Sequence, residues 1–137
     1  MLRFIRPNTR MDTILLVDDS PLRASMRKSL LEGVMPSVAR ALDAAEALCM
    51  VETPEFAKSL ALVVTGHVMP GISGPEFVAE FRRRMPQVPI LLVSQAEGLE
   101  WEYQGISGVF FAINPSAEEL LRLANELKVG VAVRQTA

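Results

Sequence analysis

Five short apolar runs, each followed by a polar or helix-forming segment, constrain the fold of this chain more than any other feature. The runs are TILLVD (13–18), SVARAL (37–42), LALVV (60–64), VPILLVS (88–94) and GVFFAI (108–113). Continuous β-branched and aliphatic residues are typical of strands that are covered on both faces. Alternating strands and helices predict an α/β protein, with an open parallel sheet and helices on both of its faces.

The chain length limits the topologies that such a sheet can adopt. With 137 residues, 50% of them hydrophobic, the chain is long enough for one domain with a single core. Right-handed crossovers leave few arrangements, and a flavodoxin-like (βα)5 doubly wound parallel sheet with strand order 2-1-3-4-5 is the commonest at this length. We expect the domain to span residues 12–128, with an N-terminal extension at residues 1–11 and an irregular tail at residues 129–137.

The helix predictions rest on apolar spacing and on turn residues. In the first helix, Leu22, Met26 and Leu30 recur every four residues, which predicts its buried face. The segment at residues 53–59 is predicted as a connector, and the segment at residues 96–105 as a short, weak helix.

Charge and cysteine content exclude several classes of function. The formal net charge is −2, so no bulk attraction to nucleic acid or to an anionic membrane is expected. The one basic run, Arg82–Arg84, falls where a helix should end, so surface charge favoured by the helix dipole is its expected role. Cys49 lies in a helical run and is expected to be a buried, structural thiol. No apolar run has the length of a membrane span, and we expect a cytoplasmic protein.

Polar residues follow four of the five predicted strands. Asp18 and Asp19 end the first strand, Gly66 follows the third, Ser94 ends the fourth and Asn114 follows the fifth. In an open α/β sheet, ligands bind beyond the carboxyl ends of the strands. These residues should therefore line one crevice, which is the predicted functional site.

Four segments, in this order, carry a resemblance to a known family: ILLVDDS, LVVTGHVMPGISG, PILLVS and FFAINP. The sequence resembles the receiver domain of two-component response regulators over about residues 12–128. The resemblance implies a signalling domain in a phosphorelay, rather than an enzyme. It also implies a protein partner, either a histidine kinase or an attached or associated output protein.

The family's chemistry implies a role for each crevice residue. A histidine kinase donates a phosphoryl group to an aspartate at the end of strand three. Asp18 and Asp19 match the acidic pair that holds Mg²⁺, an ion that prefers oxygen ligands. Ser94 matches the hydroxyl that contacts the phosphoryl group, and Phe111 matches the aromatic switch position.

Two positions depart from the family pattern. The phosphoacceptor lies three residues before Met-Pro, and counting back from Met69 gives Gly66, which can be neither nucleophile nor metal ligand. The lysine before the cis-type proline after strand five is replaced by Asn114, which brings no positive charge. We therefore expect no cofactor beyond weakly bound Mg²⁺, because two carboxylates remain where the family uses three. Without a lysine nearby, Asp18 and Asp19 are also expected to repel each other.

Structural roles remain open for the retained residues. Asp19, or Ser20 beside it, can cap the first helix, and Ser94 can cap the helix after strand four. Phe111 can be a core aromatic, as Phe110 is expected to be. His67 is expected to be a solvated loop residue.

These residues predict a degenerate receiver that is not phosphorylated and acts as a protein-interaction module. In working receivers, partners bind the face formed by the segment before strand five, by strand five and by the last helix. Trp101, Tyr103 and Phe111 are the candidate interface residues there, because aromatic side chains are typical interface anchors. A receiver that takes part in phosphorelay through a non-standard acceptor is the alternative. A flavodoxin-like enzyme is a further one, although no phosphate loop or nucleophile elbow is present.

Overall fold

The five predicted strands form one parallel sheet. The computed structural model describes residues 11–136, with the backbone alone from residue 129 onward. The strands are β1 (Thr13–Val17), β2 (Ser37–Ala41), β3 (Leu60–Gly66), β4 (Ile90–Ser94) and β5 (Val109–Ile113). Their order is β2-β1-β3-β4-β5, which confirms the predicted fold class and topology. The predicted N-terminal extension lies, up to residue 10, outside the described residues.

Five helices and one 3-10 turn connect and flank the strands. They are α1 (Pro21–Leu31), α2 (Ala44–Met50), α3 (Pro54–Ser59), α4 (Gly74–Arg84), α5 (Ala117–Thr136) and the 3-10 turn Glu100–Tyr103. The connector predicted at residues 53–59 is wrong, because Pro54 at the first helical position starts α3. The prediction that the tail from residue 129 is irregular is also wrong as far as Thr136, because α5 continues to that residue with no proline to end it. Among the described residues, no helix is long and apolar enough to cross a membrane.

The sheet divides the core into two clusters, because alternate residues of a strand point to opposite faces. Leu15 and Leu92 pack on one face with Phe77 and Phe81 of α4. Other strand residues, among them Ile14 and Leu16, pack on the opposite face with α1 and α5. Both faces are therefore buried, which is what the continuous apolar runs predicted.

Helix α1 turns a different face to the core than its apolar spacing predicted. Leu22 and Met26 are 73% and 60% exposed, whereas Ala24 and Leu31 are buried. Arg27, on the inward side with them, is half-buried and reaches the end of β1. The small Ala24 allows close packing, and an ionic contact at the end of β1 orients the helix, so the i, i+4 apolar pattern is misleading here.

Two further sequence predictions fail for reasons of packing. Cys49 is exposed, not buried, because α2 turns Ala44 and Ala47 to the core instead. Arg82 is not simply surface charge. Its guanidinium donates hydrogen bonds to the carbonyl oxygens of Met85 and Val88 at 2.7 Å each, and to that of Ser107 at 2.9 Å. Arg82 thereby fastens the end of α4 to the segments that precede β4 and β5.

Candidate functional site

The carboxyl ends of the strands surround a crevice with a volume of about 460 Å³. Its lining contains four of the predicted site residues: Asp19, Gly66, Ser94 and Asn114. The lining also contains Arg23, Arg27, His67, Val68, Val93, Gln95, Ala96 and Pro115. Asp18 is buried at the edge of the crevice, and Trp101, Tyr103 and Phe111 do not line it. The predicted crevice residues thus lie together, beside two arginines, Arg23 and Arg27, that the sequence did not lead us to expect.

The buried carboxylate of Asp18, with 1% of its side chain exposed, is held by two arginines of α1. Arg23 donates from Nε to Oδ2 at 2.9 Å and from Nη2 to Oδ1 at 2.7 Å, a two-pronged pair. Arg27 adds a longer contact from Nη1 to Oδ2 at 3.4 Å, and the Ser20 backbone N–H donates to Oδ1 at 3.0 Å. Paired guanidinium–carboxylate bonds of this kind are among the strongest charge-assisted hydrogen bonds in proteins. Both carboxylate oxygens of Asp18 therefore already accept hydrogen bonds from these groups.

The expectation of a crevice without a balancing cation is wrong. Nη2 of Arg23 also lies 3.4 Å from Oδ1 of the exposed Asp19. Arg40 of β2 donates from Nε and Nη2 to the Asp18 carbonyl oxygen at 3.0 and 2.9 Å. The hydrogen bonds that Arg23 donates to Asp18 raise the pKa of Arg23 above its usual value, whereas burial lowers the pKa of Arg27. The signal for this arrangement was in the sequence, because Arg23 and Arg27 stand one helical turn apart just after the acidic pair.

The residues present do not fit the Mg²⁺ site that the family implies. A receiver-type ion needs open carboxylate oxygens, and those of Asp18 are bonded to Arg23 and Arg27. Gly66, the position predicted for the phosphoacceptor, offers no carboxylate. Across residues 11–136, no group of three acidic, histidine or cysteine side chains is placed to hold a metal ion.

The backbone conformation at residue 66 does not require a glycine. Gly66 is the last residue of β3, and its φ is not among the positive values found at other glycines of the described chain. A Cβ built on it would lie 3.9 Å from the carbonyl oxygens of Val68 and Val93, which is ordinary van der Waals contact. The preceding side chain, Thr65, is buried and lies 3.5 Å from the Met69 sulfur. The acceptor position therefore has room for a side chain and lacks one.

Ser94 and Asn114 are both committed to the backbone of neighbouring turns. Ser94 Oγ accepts from the Ala96 N–H at 2.9 Å, so it stabilises the turn after β4 and does not cap the 3-10 turn. The backbone N–H of Asn114 donates to the Ser94 carbonyl oxygen at 2.6 Å, with the Asn114 φ at 47°. Every described peptide bond is trans, including the one before Pro115, unlike the cis form that the resemblance implied. The cap of α1 is Ser20, which accepts from the Arg23 N–H at 3.3 Å, and not Asp19.

Tyr103 is a buried residue rather than an exposed interface residue, so that part of the predicted face is wrong. Its hydroxyl shares a hydrogen bond of 2.7 Å with Nδ1 of His67. Its ring packs edge-on against Phe111, with the ring centres 5.5 Å apart. Burial, and then the charge of Glu102, raises the pKa of Tyr103 above its usual value. His67 is half-buried, with Nε2 3.8 Å from the Glu102 carboxylate, so its prediction as a solvated loop residue is also wrong.

Large apolar side chains are exposed on and beside β5. Trp101 of the 3-10 turn is 69% exposed, and Phe110, which was expected in the core, is 40% exposed. Ile113 is exposed on the same strand, whereas Phe111 is half-buried against the Tyr103 side of the core. Phe110 escapes burial because β5 is an edge strand of the sheet.

Comparison with known proteins assigns the family. Residues 14–107 match the family model described as the response regulator receiver domain. The chain therefore belongs to the receiver family of two-component signalling. No curated protein matches the sequence.

Solved structures share the fold at low sequence identity. A response regulator receiver protein from Sinorhizobium medicae WSM419 superposes with a TM-score of 0.74 at 23% identity, covering 87% of this chain and 95% of its own. The chemotaxis response regulator CheY4 of Vibrio cholerae gives 0.74 at 24% identity, over 85% and 98% of the two chains. The signal receiver domain of an HD domain-containing protein from Pseudomonas fluorescens Pf-5 gives 0.78 at 21%, over 90% and 99%. At these identities, the likeness shows the fold alone.

Proposed function

We propose that this receiver is not phosphorylated at its crevice and works as a protein-interaction module in two-component signalling. The observation that carries the proposal is the pairing of Asp18 with Arg23 beside the side-chain-less Gly66. Phosphoryl transfer in this fold needs a carboxylate nucleophile and a metal ion to neutralise the incoming oxygens. Here the nucleophile position is a glycine, and a guanidinium holds the carboxylate that would bind the metal. Asn114 supplies no charge to replace the lysine.

The proposed interaction surface is the exposed apolar part of the β5 edge. Trp101, Phe110 and Ile113 are exposed there, and aromatic anchors of this kind dominate many protein interfaces. Phe111 and Ile113 point to the side of the sheet that holds Tyr103, and Phe110 points to the opposite side, so the proposed surface extends around the edge of β5. The proposed partners are a histidine kinase or an output protein in the cytoplasm, with no nucleic acid involved.

Incubation with acetyl phosphate and Mg²⁺, followed by intact-mass measurement, tests the lack of phosphorylation. We expect no gain of a phosphoryl group by the wild-type protein. A gain would overturn the proposal and favour phosphorelay through a non-standard acceptor. Peptide mapping would then locate the modified side chain, with His67 as the first position to examine because it lines the crevice.

Matched variants test the interaction surface. We expect a partner protein that binds the wild-type chain to lose affinity for Trp101→Ala/Phe110→Ala and to keep it for Leu22→Ala/Met26→Ala. The second pair removes exposed, non-aromatic apolar side chains from α1. Equal loss with both pairs would contradict the assignment to β5.

A further inference from the structure

The positive charge of Arg27 in the crevice is only partly balanced by a nearby carboxylate. Arg27 lines the crevice with 23% of its side chain exposed, and among the described residues its one ion pair is the 3.4 Å contact with Asp18. That distance is beyond the usual range of a strong charged hydrogen bond. Burial lowers the pKa of Arg27, the response of a cation that has lost water without gaining a close partner. A second anion at Arg27 would therefore be favourable.

The local charge balance also favours an anion. Arg23 and Arg27 contact the carboxylates of Asp18 and Asp19, and Arg40 lies behind the crevice lining on the Asp18 carbonyl oxygen, so the three guanidinium groups near the acidic pair leave one positive charge in excess. Arg40 does not reduce that excess, since it donates to a carbonyl oxygen and not to a carboxylate. The local excess stands out in a chain with a net charge of −2.

The shape of the crevice indicates what kind of anion fits. Gly66 contributes no carboxylate and leaves space where a side chain would stand. A volume of about 460 Å³ is in the range of small-molecule sites and exceeds the size of one phosphate ion. The Asn114 amide lines it as a possible donor, and Val68 and Pro115 add apolar surface.

We infer that this crevice is a metal-independent site for a phosphate group, carried by free phosphate or by a small phosphate monoester. Arg27 is the charged contact, because the planar fork of a guanidinium matches two phosphate oxygens. Arg23, whose Nε and Nη2 are bonded to Asp18, adds positive charge beside it. The site forms no covalent bond and uses neither an acceptor carboxylate nor a lysine. It goes beyond the proposed function, and it is independent of whether β5 binds a protein.

A titration with inorganic phosphate in EDTA, followed by amide NMR shifts, tests the inference. We expect saturable shifts at Gly66, Val68 and Asn114, with a dissociation constant in the millimolar range at low salt. Arg27→Gln should weaken binding about tenfold, which corresponds to ~1.4 kcal/mol. The matched control is Arg122→Gln, which removes an exposed arginine of α5 whose ion pair, among the described residues, is with Glu126 at 3.3 Å, and which should leave binding unchanged.

Gly66→Asp keeps the test valid even if Arg27→Gln does not fold. It fits the available space and places a carboxylate beside the anion, so it too should weaken binding. Phenyl phosphate binding more tightly than inorganic phosphate would assign the site to a monoester, and equal binding would assign it to free phosphate. Absence of saturation, a requirement for Mg²⁺, equal binding of acetate, or unchanged binding by the folded variants would overturn the inference.

Discussion

Arg23 changes what the acidic pair can do. In the sequence, Asp18 and Asp19 look like metal ligands. In the structure, the buried member of the pair is a partner of an arginine, with two bonds of 2.9 and 2.7 Å. Opening that pair would leave a buried carboxylate partly unpaired, which is costly in proteins. Under the proposed function, three residues of the crevice therefore act against phosphorylation, namely Gly66, Asn114 and Arg23.

Substitutions that restore the family residues test this count. Gly66→Asp should change the free energy of unfolding by less than about 1 kcal/mol, since space is available and Arg23 and Arg27 balance the added charge. Gly66→Asp/Asn114→Lys should still take up no phosphoryl group from acetyl phosphate and Mg²⁺. Adding Arg23→Ala should allow uptake, measured by intact mass.

The control for that series is Arg23→Ala in the wild-type background. It should lose stability without gaining a phosphoryl group, because Asp18 keeps only the longer contact with Arg27 and the bond from the Ser20 backbone N–H. Uptake by Gly66→Asp/Asn114→Lys without the Arg23 change would show that the ion pair is no obstacle to phosphorylation.

At the scale of elements, three segments meet at Tyr103. Its hydroxyl is bonded to His67 in the loop after β3, and it also lies against Gly74 at the start of α4. A Cβ at Gly74 would collide with the Tyr103 hydroxyl and with the His67 carbonyl oxygen, so only glycine fits this close approach. A capping box of Ser73 and Glu76 then starts α4 at this point. The loop beside the crevice is thereby linked to the turn before β5.

This link should make stability depend on pH in the alkaline range. The pKa of Tyr103 is raised in the folded state above its ordinary value of 10.0, mainly by burial. The native protein therefore holds this proton more tightly than the unfolded chain does. The resulting stability is present below about pH 10 and is lost as the pH rises above that value. Urea unfolding between pH 8 and pH 11, measured on the wild type and on Tyr103→Phe, checks this dependence.

Tyr103→Phe should be less stable by about 1 kcal/mol at neutral pH, because the bond to His67 is lost. The difference between the two proteins should shrink above pH 10, since phenylalanine has no proton to lose. A constant difference across the whole range would mean that Tyr103 does not titrate in this window.

At the scale of the whole molecule, Mg²⁺ should not stabilise the fold. A ligand stabilises a protein by RT ln(1 + [L]/Kd). An ion whose dissociation constant exceeds its concentration therefore contributes less than about 0.4 kcal/mol. We expect the melting temperature of the wild-type protein to rise by less than about 2 °C in excess Mg²⁺. Gly66→Asp/Arg23→Ala should show a larger rise, because it restores two carboxylates to the ion. A large rise in the wild type would mean that Mg²⁺ displaces Arg23.

The strands and the position of the crevice were predictable from local patterns, whereas the strand order followed from the general rules for crossovers in parallel sheets. A buried parallel strand is a continuous apolar run, and the residue after each run must lie at the carboxyl edge of the sheet. The same counting located Gly66 and Asn114, because motif spacing along the chain is independent of packing. These predictions needed only near neighbours in the sequence.

Packing between distant segments decided the rest. The inward face of α1 depends on where the end of β1 lies, so Arg27 turned inward and Leu22 did not. The exposure of Phe110 depends on β5 lying at the edge of the sheet that the described residues form, and the burial of Tyr103 depends on a partner, His67, that lies 36 residues away in the chain. Charge pairing and edge position are properties of the assembled sheet, and local apolar periodicity predicts neither of them.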